Sequence, residues 1–197
     1  MTGGFIDPKS PKEKNSWTAT GQPKLWTKDT AEIMIDPDGD GDNHDYYELQ
    51  IGPQNKVFHS QFDLYNAPKQ EPNGPFGHED WDPKLKSAVV VHGTLDKVDD
   101  KDDGYTVEAA IPWAAFSKAL RHPPQVGDSW RMNFYAMQQN SGVAWSPILR
   151  QGNFHKAVRF GKVVWASSNG GTTPLGTGLK HFVRASPANF HAHPPTP

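Results

Sequence analysis

The sequence predicts an all-β protein, an antiparallel β-sandwich of jelly-roll-like form, and three observations carry that expectation. Several short segments alternate apolar with polar residues, the period of a half-buried strand. Eighteen Gly and 18 Pro divide the chain into short pieces, which favours strands and turns over long helices. A set of 7 Trp, 10 Phe and 5 Tyr lets a chain of mean hydropathy -0.72 build its core from a few large side chains. At 197 residues there is room for one domain. It is placed at 26–166, after a polar N-terminal segment (1–25, with Trp17 as its anchor) and before a flexible tail (167–197) of Ser, Gly, Thr, Pro and His.

The elements follow in order. Residues 28–36 form the first strand, with Ala31, Ile33 and Ile35 alternating against Glu32 and Met34. An acidic turn leads to a second strand at Tyr46 to Ile51 (YYELQI). Gly52 to Asn55 is a turn, and Lys56 to Phe62 (KVFHSQF) alternates again, so the neighbours pair antiparallel. Residues 63–85 hold four prolines and no period, which predicts a long functional loop. Ser87 to Leu95 and Gly104 to Ile111 are strands separated by a charged turn; Tyr105, Val107, Ala109 and Ile111 share one face. Pro112 at a first helical position predicts a short helix to Leu120. Trp130 to Met137 is a strand with Trp130, Met132, Phe134 and Ala136 on one face and Arg131, Asn133, Tyr135 and Met137 on the other. A second long loop covers 139–157, and Arg159 to Trp165 is the last strand.

Composition removes several function classes. The net charge is -2, with no run of Lys or Arg, so nucleic acid and anionic membrane are poor partners. No apolar run reaches the length of a membrane span. The chain has no Cys, which excludes disulfides and thiol chemistry. The opening MTGGFIDPKS lacks the apolar run of a signal peptide. No G-x-S-x-G or phosphate-binding Gly loop is present. Glu32, Glu48 and Glu108 lie in strands, but nothing marks two of them as the acid and nucleophile of a glycosidase.

The most distinctive stretch is the acidic turn. Asp36, Asp38, Asp40 and Asp42 stand at every second position, interrupted by Pro37, Gly39 and Gly41. Carboxylates this dense repel one another unless a cation sits among them, and a flexible oxygen-rich loop suits calcium. Asp36, Asp38, Asp40 and Gly41 match the first half of an EF-hand loop, whereas Tyr47 stands where that loop needs its twelfth-position Glu. The candidate ligands are Asp36, Asp38, Asp40 and Asp42, with Asp45 and Glu48 completing the shell; the competing reading is a solvated acidic hairpin turn. Calcium, if held, is structural. His191 and His193 form an H-x-H in the tail, a weak zinc signal, and His59 and His92 read as structural strand residues.

Six segments in order, WTKDTAEIMIDPDGDG, YYELQIGPQNKVF, GYTVEAAIPW, WRMNFYAM, AWSP and GNFHKAVRFGKV, together resemble a family 9 carbohydrate-binding module, or the wider group of sugar-binding domains of that fold. The resemblance runs from about Trp26 to Trp165. It implies a β-sandwich with structural calcium and a slot where aromatic rings hold a sugar. Trp26 would be one wall and Glu32 an acceptor for hydroxyls. Phe154, where such domains carry a Trp, would be the other wall, with Gln151 or Asn153 beside it. Arg131 and Asn133, on the strand face they share with Tyr135, would line the floor. Each also has a plain reading: Trp26 as a packing aromatic, Glu32 as a solvent-facing strand residue, Arg131 and Asn133 as part of an outer polar face, and Trp145 as packing. Such domains usually hold several strands before the position of Trp26, so the resemblance also implies missing N-terminal strands or a partner chain.

The expected function is non-catalytic binding of a mono-, oligo- or polysaccharide, as an accessory to polysaccharide degradation or cell-surface glycan attachment, in a secreted or surface-located protein. Two alternatives stand beside it. One is a haem b electron-transfer domain of the same fold group, with Met34, Met132 or Met137 as an axial ligand. The other is a structural domain that has lost its sugar.

Overall fold

The computed structural model describes residues 22–69, 77–97, 99–138, 141–150 and 152–166. Trp17, Gln151, the tail and its His191 and His193 lie outside them. The described chain is an antiparallel β-sandwich without α-helix. Its strands are β1 (Thr30–Asp36), β2 (His44–Ile51), β3 (Val57–Leu64), β4 (Lys86–His92), β5 (Gly104–Ala110), β6 (Ser129–Gln138), β7 (Ser141–Ala144) and β8 (Gly161–Val164). The large sheet has the order β3-β2-β1-β6, and β7 and β8 share the outer edge of β6. There β7 takes Tyr135 to Gln138 and β8 takes Ser129 to Met132. Among the described residues β4 and β5 pair only with each other and form the second layer. No described helix is long and apolar enough to cross a membrane.

Strand alternation puts two different sets of side chains on the two faces of the large sheet. Ala31, Ile33 and Ile35 lie opposite Ile51, Leu49 and Tyr47, and next to Ala136, Phe134 and Met132 of β6. This face is covered by β4 and β5 through Tyr105, Val107 and Ala109, and by Phe116 and Trp130 beside Ile33, Ile35, Tyr47 and Leu49. Burial of each such large side chain contributes about 2–3 kcal/mol. The opposite face is not an ordinary solvated one. Met34, Tyr46, Phe62, Tyr135 and Met137 form a second core there, closed by Ala157 and Phe160 of the loop before β8.

Three local expectations change. The helix predicted for 112–120 is a single 3-10 turn, Trp113–Ala115, ending at Phe116 with φ -96 and ψ 70. The reason is tertiary. Trp113 packs edge-on against Trp130 and Trp165, and Phe116 packs against Tyr47 and Trp130, contacts that a continuing helix would carry apart. The last strand starts at Gly161, not Arg159, because Ala157–Arg159 form a 3-10 turn that buries Ala157. The loop predicted for 139–157 contains β7. Its Gly142 lies so close to β6 that a Cβ there would meet Ala136 O at 2.6 Å.

Candidate functional site

A pocket of about 240 Å³ opens on the second-core side of the large sheet. The register places its floor. One row of side chains runs across four strands, Phe58 on β3, Gln50 on β2, Glu32 on β1 and Tyr135 on β6. The adjoining row is Ser60, Glu48, Met34 and Asn133. Glu32, Glu48 and Gln50 are 3%, 5% and 1% exposed, yet all three border the pocket. The Gln50 amide group donates to Glu32 Oε2 at 3.1 Å and to Glu48 Oε1. Its own carbonyl oxygen, Oε1, is buried with no partner among the described residues.

The walls are aromatic. Trp26 is the central residue of the 3-10 turn Leu25–Thr27 that feeds β1, and it meets Phe58 edge-on at 5.3 Å. Phe154, from the loop before β8, also lines the pocket. Its backbone is fixed by Tyr135, whose hydroxyl donates to Phe154 O at 3.0 Å and whose ring packs edge-on to the Phe154 ring at 4.9 Å. Asn153 also borders the pocket; its Oδ1 accepts the His155 N–H, leaving the amide N–H groups as donors. His155 is bonded through Nδ1 to the Tyr46 hydroxyl at 2.9 Å, and its Nε2 lies 3.8 Å from Glu48 Oε2.

Burial sets the charge of this pocket. It holds the Glu32 carboxyl well above the usual range, with the neighbouring Glu48 adding to the effect. It pushes Glu48 up to about 7, against the pull of the Gln50 hydrogen bond. Burial, with Lys156 nearby, lowers His155 to about 3, so its ring is neutral. The pocket is thus a floor of carboxyl groups that ionise with difficulty, bordered by aromatic side chains, with no standing positive charge among its described lining residues.

Of the residues predicted for a sugar slot, the structure brings Trp26, Glu32, Asn153 and Phe154 together on one pocket. Gln151 lies outside the described residues. Arg131 and Asn133 share the sheet face but not the pocket lining. Arg131 donates from Nε to Gly39 O at 3.1 Å and braces the acidic turn. Asn133 is fully buried; it donates to Tyr135 Oη and Ser146 O and accepts the Ser146 N–H. It is a brace between β6 and the AWSP segment. Trp145 of that segment covers Gly161, where a Cβ would fall 2.3 Å from its ring. Sequence reasoning missed Gln50, Phe58, Tyr65 and His155 as pocket residues and assigned Glu48 to the metal. The parity of YYELQI puts Tyr46, Glu48 and Gln50 on one face, and that was the available signal.

The acidic turn is a separate feature. Asp36 is buried, and its carboxylate accepts the N–H groups of Gly39 at 3.1 Å and Gly41 at 3.0 Å. Both glycines have φ 77, and a Cβ at Gly39 would strike Ser129 O at 2.5 Å, so only Gly fits there. Carboxylate oxygens of Asp36, Asp38 and Asp40 lie within 4.8 Å of one another. Burial, then the hydrogen bond and charge of Asp38, raise Asp36 to about 7. Such a donor set fits a hard divalent cation. Asp42 accepts the His44 N–H at 2.7 Å, just as Asp38 and Asp40 accept backbone N–H groups of the same turn. Asp45 pairs with Lys118 at 2.9 Å, and Glu48 borders the pocket. Tyr47 is fully buried in the inner core.

Residues 10–167 match the family model described as "Carbohydrate family 9 binding domain-like". The chain belongs to that family. The fold is similar to that of a solved structure from Bacteroides uniformis ATCC 8492, provisionally described as a carbohydrate-binding protein, with TM-score 0.55 and 18% sequence identity. That similarity takes in 76% of this chain and 65% of the other, so the chain spans just under two thirds of the solved protein's length. A search of the curated proteins gave no match. Within the carbohydrate family 9 domain, the aromatic-walled pocket offers ring faces for C–H groups and polar atoms for hydroxyls.

Proposed function

We propose that this domain binds carbohydrate without catalysis, holding one pyranose unit between Trp26 and Phe154 over the Glu32, Glu48 and Gln50 floor. The observation that carries the reading is the convergence of these five residues on one pocket of about 240 Å³ in a chain of the carbohydrate family 9 binding domain-like family. The apolar face of a pyranose stacks on an aromatic ring, and its hydroxyls donate to carboxylate and amide oxygens. Asn153 supplies the complementary donor.

Calcium at Asp36, Asp38 and Asp40 is the structural part of the proposal. There it would neutralise three crowded carboxylates and fix the turn between β1 and β2. A site with few protein ligands suits extracellular calcium concentrations, and this supports a secreted or surface-located accessory domain that keeps a polysaccharide-acting partner near its substrate.

Calorimetric titration with a panel of mono- and oligosaccharides tests the function. The expected result is saturable binding of at least one sugar with no hydrolysis product; a folded protein that binds none favours the structural domain. Met137 and His155 both border the pocket, so the same preparation should be scanned for a haem Soret band, whose appearance would decide for electron transfer.

A further inference from the structure

The pocket floor presents two carboxyl groups and no cation. Glu32 and Glu48 are buried carboxyls joined by one Gln50 amide, whose own Oε1 is buried without a partner among the described residues. His155 is the only basic side chain among the described lining residues; burial and Lys156 keep it neutral. The walls are Trp26, Phe58, Tyr65 and Phe154. Buried carboxylates are costly unless paired with a cation, and aromatic faces attract cations. A protonated amine has three donors and no acceptor, which suits a floor of two neighbouring carboxyls. A hydroxyl brings a lone pair along with its proton and no charge.

We propose that the pocket selects amino sugars, pyranosides carrying a free ammonium group, over the neutral sugars of the same shape. The ammonium sits on the floor and donates to Glu32 and Glu48, while the ring carbons stack on the aromatic walls. The inference rests on the carbohydrate reading above and narrows it to a chemical class. Burial raises both carboxyls, so an ammonium that settles between them displaces their protons. A calcium ion is a poorer fit to this floor, since it needs six to eight oxygens and the walls offer rings.

The test is calorimetric titration of the full chain with three methyl glycosides, in both gluco and galacto configuration: the free 2-amino sugar, its N-acetylated form and the 2-hydroxy parent. Conditions keep the amine protonated. The free amine should bind at least about tenfold more tightly than the other two, the scale of one added charge-assisted contact. Glu48→Gln, which keeps shape and removes charge, should erase that preference; a single cooperative melting transition would show that the variant is folded. Equal or tighter binding of the acetylated or parent sugar overturns the inference and leaves the carbohydrate reading standing. Binding of none of them overturns both when the wider sugar panel also fails, and the inference alone when a neutral sugar in that panel binds.

Discussion

Asn43, at the end of the acidic turn, accepts the backbone N–H of Ala157 through its side-chain oxygen at 2.9 Å. That bond ties the turn to the loop carrying Phe154 and His155, so a change in the turn reaches the pocket wall. Asn43 has φ 72, a left-handed conformation that Gly also adopts easily. Asn43→Gly therefore removes the bond while keeping the backbone relaxed. It should lower stability by about 1 kcal/mol in urea denaturation and weaken sugar binding in the same preparation. Binding unchanged beside a clear loss of stability would show that the turn and the pocket are uncoupled.

Calcium should raise the melting temperature, and a chelator should lower it. Asp36→Asn should abolish both effects, whereas Glu48→Gln should leave them in place, because Glu48 faces the pocket and not the Asp36, Asp38 and Asp40 group. Calorimetric scans of the three proteins with and without calcium separate these outcomes. Loss of the calcium effect in Glu48→Gln would return Glu48 to the metal shell.

The pocket carboxyls make stability depend on pH with a definite sign. The folded protein keeps the Glu48 proton up to about 7, above the ordinary 4.5, so it binds more protons than the unfolded chain in that window. Stability from this group is present at low pH and falls as pH rises from about 4.5 to about 7. His155 acts in the opposite sense. Its folded value of about 3 lies below the ordinary 6.5, so stability from the neutral imidazole grows as pH rises through that range. Glu32, Tyr46 and Tyr135 lie beside the same groups. A difference curve isolates Glu48: relative to wild type, Glu48→Gln should gain stability steadily between those two pH values, by up to roughly 3 kcal/mol. A flat difference would mean that Glu48 is ionised at ordinary cost.

Affinity should divide the residues of the shared sheet face. Trp26→Ala and Phe154→Ala remove a wall each and should lower affinity by about tenfold or more. Arg131→Met leaves the pocket lining intact but removes the bond to Gly39 O. It should lower stability and weaken affinity far less than the loss of either wall. Titration of the three variants below their melting temperatures checks this. An Arg131 variant as weak as the Trp26 variant would place the guanidinium in contact with the ligand.

Strand period exposed most of the fold, including which residues of β1, β5 and β6 share a side, because alternation follows directly from backbone geometry. Period gives parity, however, and not which side is covered. Glu32 and Asn133 could equally have been solvent-facing, and only the packing of Phe160 and Ala157 over Tyr46 and Met137 makes their side an interior. Glu48 was drawn toward the aspartates by closeness in sequence; the pleat turns it instead toward Gln50. The Trp113 segment carried a real helical signal, which packing among Trp130, Trp165 and Phe116 overrode. Acidic turns are more legible, because spaced aspartates and glycines are local chemistry.

The small sheet of β4 and β5 has a consequence of its own. It packs against the side of the large sheet that carries Ile33, Leu49 and Ile51, while the pocket opens on the reverse. On β4, Val90 is 58% exposed and points away from both. A linker or a solid support attached along β4 would therefore leave the pocket mouth turned outward. The two layers give the domain a handle and a reading face, and immobilised copies should present the sugar site to solution without a spacer.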